Sequence, residues 1–143
     1  MTEHAPRYLR GVLDTSTVIV LSRLTDPAVL PAEPLITTVT LAELTVGPLV
    51  ATTDTERAAR QAHVQQAEAD FEPLPFDSPA ARAFGRVAAS LRQAGRKPAA
   101  RAYDAMIAAT AISRNLPVYT CNPADFTGID GLTVIAVPVP QQS

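Results

Sequence analysis

The sequence holds a single cysteine, Cys121, in 143 residues. An intramolecular disulfide is therefore impossible, a thiolate metal cage would need several chains, and a reducing, cytoplasmic setting is the natural expectation. No stretch approaches the roughly 18 consecutive apolar residues that cross a bilayer, and residues 1–7 lack the apolar core of a secretory signal. A membrane role is thus not expected. An excess of charge of either sign is missing too, since twelve Lys and Arg against fourteen Asp and Glu give a formal net charge of −2. Any nucleic-acid contact must come from a local patch rather than from a global field. Internal repeats and low-complexity tracts are absent, and His4 and His63 stand apart in the sequence, which leaves a zinc site poorly supported.

What is there is a globular composition, 47% hydrophobic and 18% charged. That suffices for one buried core and is too short for two ordinary domains, so the chain reads as one domain over residues 1–143 with its core in about residues 9–137. Leu9 to Leu13 is apolar enough for a short buried strand, and it halts at Asp14, followed by Thr15 and Ser16, residues suited to capping a helix over Thr17 to Leu24. Asp26, Pro27, Pro31 and Pro34 mark a loop, after which Leu35 to Val39 is β-prone. Thr40 and Glu43 have the spacing of a capping box for the helix that follows, through Val50. Asp54 to Asp70 lacks Gly and Pro and favours a helix. Phe71 to Phe76, interrupted by two prolines, is at most a short edge strand. Pro79 to Ala94 puts Phe84, Val87, Ala88 and Leu91 on one helical face and ends at Gly95. A further helix is expected over Ala99 to Asn115, and strands over Val118 to Thr120 and Leu132 to Val137. Strands alternating with helices predict an α/β sandwich with a mostly parallel sheet.

In such a sheet functional groups collect where strands end and loops enter the next helix. Asp14, Glu43 and Asp125 all fall at boundaries of this kind. Asp104 opens an otherwise uncharged run, Tyr103 to Ser113, where a carboxylate is costly to ionise unless it is paired or bound to a metal. Several carboxylates brought together fit a hard divalent cation, Mg²⁺ or Mn²⁺, which prefers oxygen donors and tolerates a largely hydrated site. Each acid also has an ordinary reading: Asp14 as a helix cap, Glu43 as half of a capping box, Asp104 as a first-turn acid and Asp125 as a turn residue. Half of the twelve basic residues, Arg82, Arg86, Arg92, Arg96, Lys97 and Arg101, lie in the acid-free span between Ser78 and Tyr103. Arg86, Arg96 and Lys97 could steer phosphates toward the acids, or the segment could simply be a solvated face. Cys121 is expected to be a small buried residue, and Phe71, Phe76, Phe84 and Phe126 to serve the core.

Four segments carry a resemblance. Leu13-Asp14-Thr15-Ser16, Thr40-Leu41-Ala42-Glu43-Leu44, the run Asp104 to Ala111, and Thr120-Cys121-Asn122-Pro123-Ala124-Asp125-Phe126 resemble, in order and spacing, the signature blocks of PIN-domain nucleases. More narrowly they resemble the VapC toxins of bacterial toxin–antitoxin pairs. The resemblance implies a PIN-like α/β/α sandwich and a Mg²⁺-dependent endoribonuclease. It also implies inhibition by a small VapB-type antitoxin, and a toxin that is usually a homodimer within a larger toxin–antitoxin assembly. Asp14, Glu43 and Asp104 match the metal-binding acids. In the fourth block Asn122 stands where many relatives have aspartate, so Asp125 becomes the fourth carboxylate and Asn122 an orienting or water-bound ligand. Thr15, Ser16 and Thr120 match hydroxyl positions that orient carboxylates or water. The rival readings are a phosphatase of the haloacid-dehalogenase kind, which wants an acid where Ser16 stands, and a PIN-like RNA- or protein-binding module without catalytic power.

Overall fold

The computed structural model describes residues 8–140, so His4 lies outside the described residues. Four strands, β1 (Arg10–Leu13), β2 (Glu33–Leu35), β3 (Val118–Thr120) and β4 (Val134–Ala136), pair in parallel in the order β2-β1-β3-β4. The sheet is covered by α1 (Thr15–Val20), α2 (Thr38–Leu49), α3 (Asp54–Asp70), α4 (Ser78–Gln93) and α5 (Ala102–Ser113). Strand alternation divides the core in two. Val12 and Val118 face one side with Val87, Leu91, Ile107 and Phe126, while Leu13 and Tyr119 face the other with Val18, Ile36, Leu44 and Val64. Ala105, Ala108, Ala109 and Ala111, all fully buried, make α5 thin on its inner side and let α4 pack closely against it. The α/β/α sandwich expected from the alternation is the architecture observed.

Several boundaries differ from the sequence reading, each for a local reason. The first helix begins at Thr15 because Asp14 itself is its cap, accepting from the Thr17 N–H, and it tightens into a 3₁₀ turn at Leu21–Arg23. The second strand ends at Leu35 rather than Val39, since Thr37 accepts from the Thr40 N–H and starts α2 at Thr38. Thr40 is therefore not a cap and Glu43 lies past the first turn. The capping-box reading of that pair is overturned. A reciprocal cap of that type does form one helix later, where Thr53 accepts from the Glu56 N–H and the Glu56 carboxylate takes the Thr52 N–H. Ahead of α5 the chain runs through a 3₁₀ turn, Pro98–Arg101, so the expected helix over Ala99 to Asn115 is shorter at both ends. Asn115, at φ 55°, closes it as a left-handed terminator, with the Leu116 N–H bonded to the Ala111 carbonyl. Leu74, in the proline-broken segment, makes one parallel bridge to Thr37.

Gly11 is needed where it stands. A Cβ there would lie 2.6 Å from Cε1 and 2.8 Å from Cδ1 of Tyr119, a ring that is itself buried. Gly11→Ala is expected to lower stability by about 1–3 kcal/mol through overpacking, read as a lower urea midpoint at unchanged slope. An unchanged midpoint would show that the ring can move aside without cost.

Candidate active site

The crevice lies where the strand order turns back, between β1 and its non-sequential neighbour β3. Leu13 pairs with Tyr119, so Asp14 and Thr120 emerge side by side at the carboxyl ends of these strands. Asp14 is only 3% exposed and is held from several directions. Its Oδ1 accepts from the Thr17 N–H at 3.1 Å, the Thr17 hydroxyl at 2.9 Å and the Ser16 hydroxyl at 2.8 Å. Its Oδ2 accepts from the Thr120 hydroxyl at 2.6 Å. Helix capping and site-building are thus one arrangement at this residue. Ser16 and Thr120 stand where the sequence placed them, and Thr17 is an orienting hydroxyl that the sequence reading missed. Its signal was the three-residue offset from the capping Asp14.

Glu43, projecting from α2, accepts from the Thr15 hydroxyl at 2.7 Å. Burial raises its pKa; the Thr15 hydrogen bond opposes that rise and the Asp14 charge adds to it. Asp104, in the first turn of α5, shows the strongest electrostatic signature. Its pKa is pushed from 3.8 up to about 6, first by burial, then by the charges of Asp125, Glu43 and Asp14, against the pull of Arg101. Four acids from four separate segments therefore share one field, with Asp104 at its centre.

Asp125, in the 3₁₀ turn Pro123–Phe126, is paired with Arg101 at 2.7 Å. Arg101 is the second missed residue; its offset of three before Asp104 was the available signal. Asn122 is exposed, and its backbone N–H donates to the Thr120 hydroxyl at 2.9 Å. Arg96 reaches the same turn through a 3.4 Å contact with the Ala124 carbonyl, whereas Arg86 and Lys97 stand exposed outside these contacts. Cys121 is half-buried rather than buried, and burial raises its thiol pKa, which makes it a poor nucleophile. A cleft of about 390 Å³ opens beside the acids, lined by Glu43, Asp104, Tyr103, Arg101 and the small side chains of residues 99, 100 and 102.

The donor set is all oxygen, which suits a hard cation. Among the described residues no three carboxylate, imidazole or thiol groups stand close enough to ligate one ion together. Mg²⁺ fits such a site nonetheless, because it binds through one or two carboxylates and keeps several waters. Crowded negative charge that raises the Asp104 pKa is charge that a cation would neutralise.

A model of the PIN domain matches residues 11–132, a span that contains the carboxyl ends of β1 and β3 and the acids Asp14, Glu43, Asp104 and Asp125. Over 129 residues, 89% of this chain and 93% of the relative, the sequence is 43% identical to Ribonuclease VapC5 of Mycobacterium tuberculosis. The chain belongs to the PIN-domain family, in its VapC branch. The solved VapBC-5 toxin–antitoxin structure from the same organism superposes on this PIN domain with a TM-score of 0.76 at 41% identity, covering 90% of this chain and 99% of that one. The DNA-bound VapBC of Salmonella typhimurium is similar at 28% identity and a TM-score of 0.67, over 88% of this chain and 96% of its own. The PIN-like fold expected from the four blocks is thus the fold observed. Among the described residues, no helix of this PIN domain is long and apolar enough to cross a membrane.

Proposed function

We propose that this chain is a Mg²⁺-dependent endoribonuclease, the toxin of a VapBC-type pair. The observation that carries the reading is the Asp104 carboxyl, raised to about 6 among Asp14, Glu43 and Asp125 at the crevice of a ribonuclease-like scaffold. Asp14 and Asp104 would hold the ion directly, with Glu43, Asp125 and Asn122 engaging it through water; Mn²⁺ takes the same donors. A divalent ion bound there supplies an activated water and neutralises charge growing on the phosphoryl oxygens. The remaining work falls to the chain itself. Ser16, Thr17 and Thr120 fix the orientation of Asp14, as Thr15 fixes that of Glu43. Glu43, with its raised proton affinity, is suited to take the proton of the attacking water. Arg101 steadies Asp125 and keeps further N–H groups for a phosphate, and Arg96, Arg86 and Lys97 extend that positive track.

The partner in this reading is a VapB-type antitoxin. A groove of about 260 Å³ between α1 and α3, lined by Val18, Ile19, Leu21, Ala67 and Phe71, offers it an apolar trough. Exposed Val46, Leu49 and Val50 at the end of α2 extend the apolar surface, which suits an amphipathic helix or a second toxin. An arginine from the antitoxin, entering the acidic crevice, would complete the inhibition.

The deciding experiment is digestion of mixed RNA by the purified protein with Mg²⁺, with excess EDTA, and with Mg²⁺ restored. Internal cleavage that stops with EDTA and returns with Mg²⁺ or Mn²⁺ is expected. Cleavage that persists in EDTA overturns the metal dependence, and RNA binding without cleavage in Mg²⁺ would favour the non-catalytic module instead.

A further inference from the structure

One wall of the cleft has no part in the reaction just described. Tyr103 directly precedes Asp104 on α5, is 56% exposed, and its side chain makes no ring contact or hydrogen bond among the described residues. The other described tyrosines differ. Tyr119 is 2% exposed and packs in the core, and Tyr8, 37% exposed, ties its backbone N–H to the Tyr119 hydroxyl. Beside Tyr103 the cleft is lined by Ala99, Ala100 and Ala102, whose single methyl groups leave the ring's approach open, and by Arg101. Its volume of about 390 Å³ lies within the range of small-molecule sites. An aromatic face, a guanidinium and a carboxylate therefore line one open cleft, each matching a different part of a nucleotide.

We propose that Tyr103 is the stacking platform for a nucleobase of single-stranded RNA next to the phosphate processed at Asp104. The inference rests on the ribonuclease reading and adds to it a base-binding subsite. Proteins that act on RNA in a sequence- or loop-dependent way take unpaired bases onto aromatic faces, because duplex stacking hides those faces. Arg101, already oriented by its 2.7 Å bond to Asp125, places positive charge where the backbone phosphate of that nucleotide must pass. The subsite makes unpaired loops and ends the preferred substrates. It accepts any base by its π-face, with preference set by stacking strength.

The test compares Tyr103→Ala and Tyr103→Phe with the parent on a short single-stranded RNA and on the same strand carrying an abasic position next to the cleavage point. Tyr103→Ala is expected to raise KM about ten-fold with kcat within about three-fold, and Tyr103→Phe to keep the parental KM, since stacking needs the ring and not the hydroxyl. The abasic strand should bind the parent as weakly as the intact strand binds Tyr103→Ala. The chain contains no tryptophan and three tyrosines, so its ultraviolet fluorescence reports tyrosine directly. RNA titrated into a non-cleaving Asp104→Asn protein should quench that emission, and the quench should vanish once Tyr103→Ala is added. A parental KM in Tyr103→Ala, or an equal loss in Tyr103→Phe, overturns the stacking platform. Because the fluorescence titration needs no cleavage, failure of the parent to cut RNA is read separately, as failure of the ribonuclease reading.

Discussion

Asp104→Asn is expected to reduce RNA cleavage by about 10³-fold or more while making the protein harder to unfold. In the proposed reaction the loss follows from removing a carboxylate that would hold the cation, the group that would neutralise charge on the reacting phosphate. The gain follows from electrostatics without the cation. Burial and three neighbouring carboxylates push the Asp104 pKa from 3.8 to about 6, so the folded protein holds its proton more tightly than the unfolded chain does. This group's contribution to stability is fully present below about pH 4 and is lost as pH rises through about 6. At pH 7.5 the ionised carboxylate is then a burden of about 1 kcal/mol, once screening of this half-exposed group is allowed for. Urea unfolding in EDTA checks it. The variant should be more stable than the parent at pH 7.5, with the difference shrinking toward pH 4. A variant less stable than the parent at pH 7.5 would show that Asp104 is a structural residue.

Asp14→Ala is expected to abolish cleavage as well, by a similar factor, but with the opposite effect on the fold. Here the carboxylate is buried and surrounded by donors rather than by like charges: the Thr17 N–H and the hydroxyls of Ser16, Thr17 and Thr120 all point at it. Its removal strands those donors and uncaps α1, at a cost of about 2–4 kcal/mol. A melting temperature lower by about 10 °C is the expected reading for a chain of this size. Asp14→Asn keeps an acceptor in place and should recover much of the stability while recovering none of the activity. If Asp14→Ala melts with the parent, the hydrogen-bonded cradle carries no stability.

These two acids show how far a linear reading reaches. The strand ending at Leu13 and the uncharged helix after Asp104 were legible because apolar runs and turn residues announce themselves locally. So were the α/β class and the crevice at the ends of β1 and β3. Glu43 was harder. Its Thr40 spacing imitates a capping box, and only the contact of Thr37 with the Thr40 N–H, one turn earlier, reveals that the helix has already begun. The pairing of Arg101 with Asp125 spans 24 residues and was equally hidden: the offset of three from Asp104 could single out Arg101 among the six clustered basic residues, but no local pattern names Asp125 as its partner. Arg86 and Lys97 matched the same charge pattern and stay exposed. Long-range partner choice depends on the packing of α5 against the turn after β3, a property of three dimensions.

The strand order has a consequence in time. β3 sits between β1 and β4, and the bond between Thr120 and Asp14 joins residues 106 apart in the chain. Closing so long a loop is slow, although each doubling of its length adds only about 0.6 kcal/mol. During synthesis from the N-terminus, Asp14, Glu43 and Asp104 all leave the ribosome before the segment that brackets them. A nascent chain stopped before Tyr119 has no strand to pair with Leu13 and lacks the Thr120 hydroxyl that holds Asp14 from across the crevice, leaving only the local donors of Ser16 and Thr17. In the proposed reading, the cleaving site would thus be incomplete while the chain is still being synthesised. The proposed activity would begin only when β3 enters the centre of the sheet, which leaves a translation-coupled interval in which the proposed antitoxin could already be present.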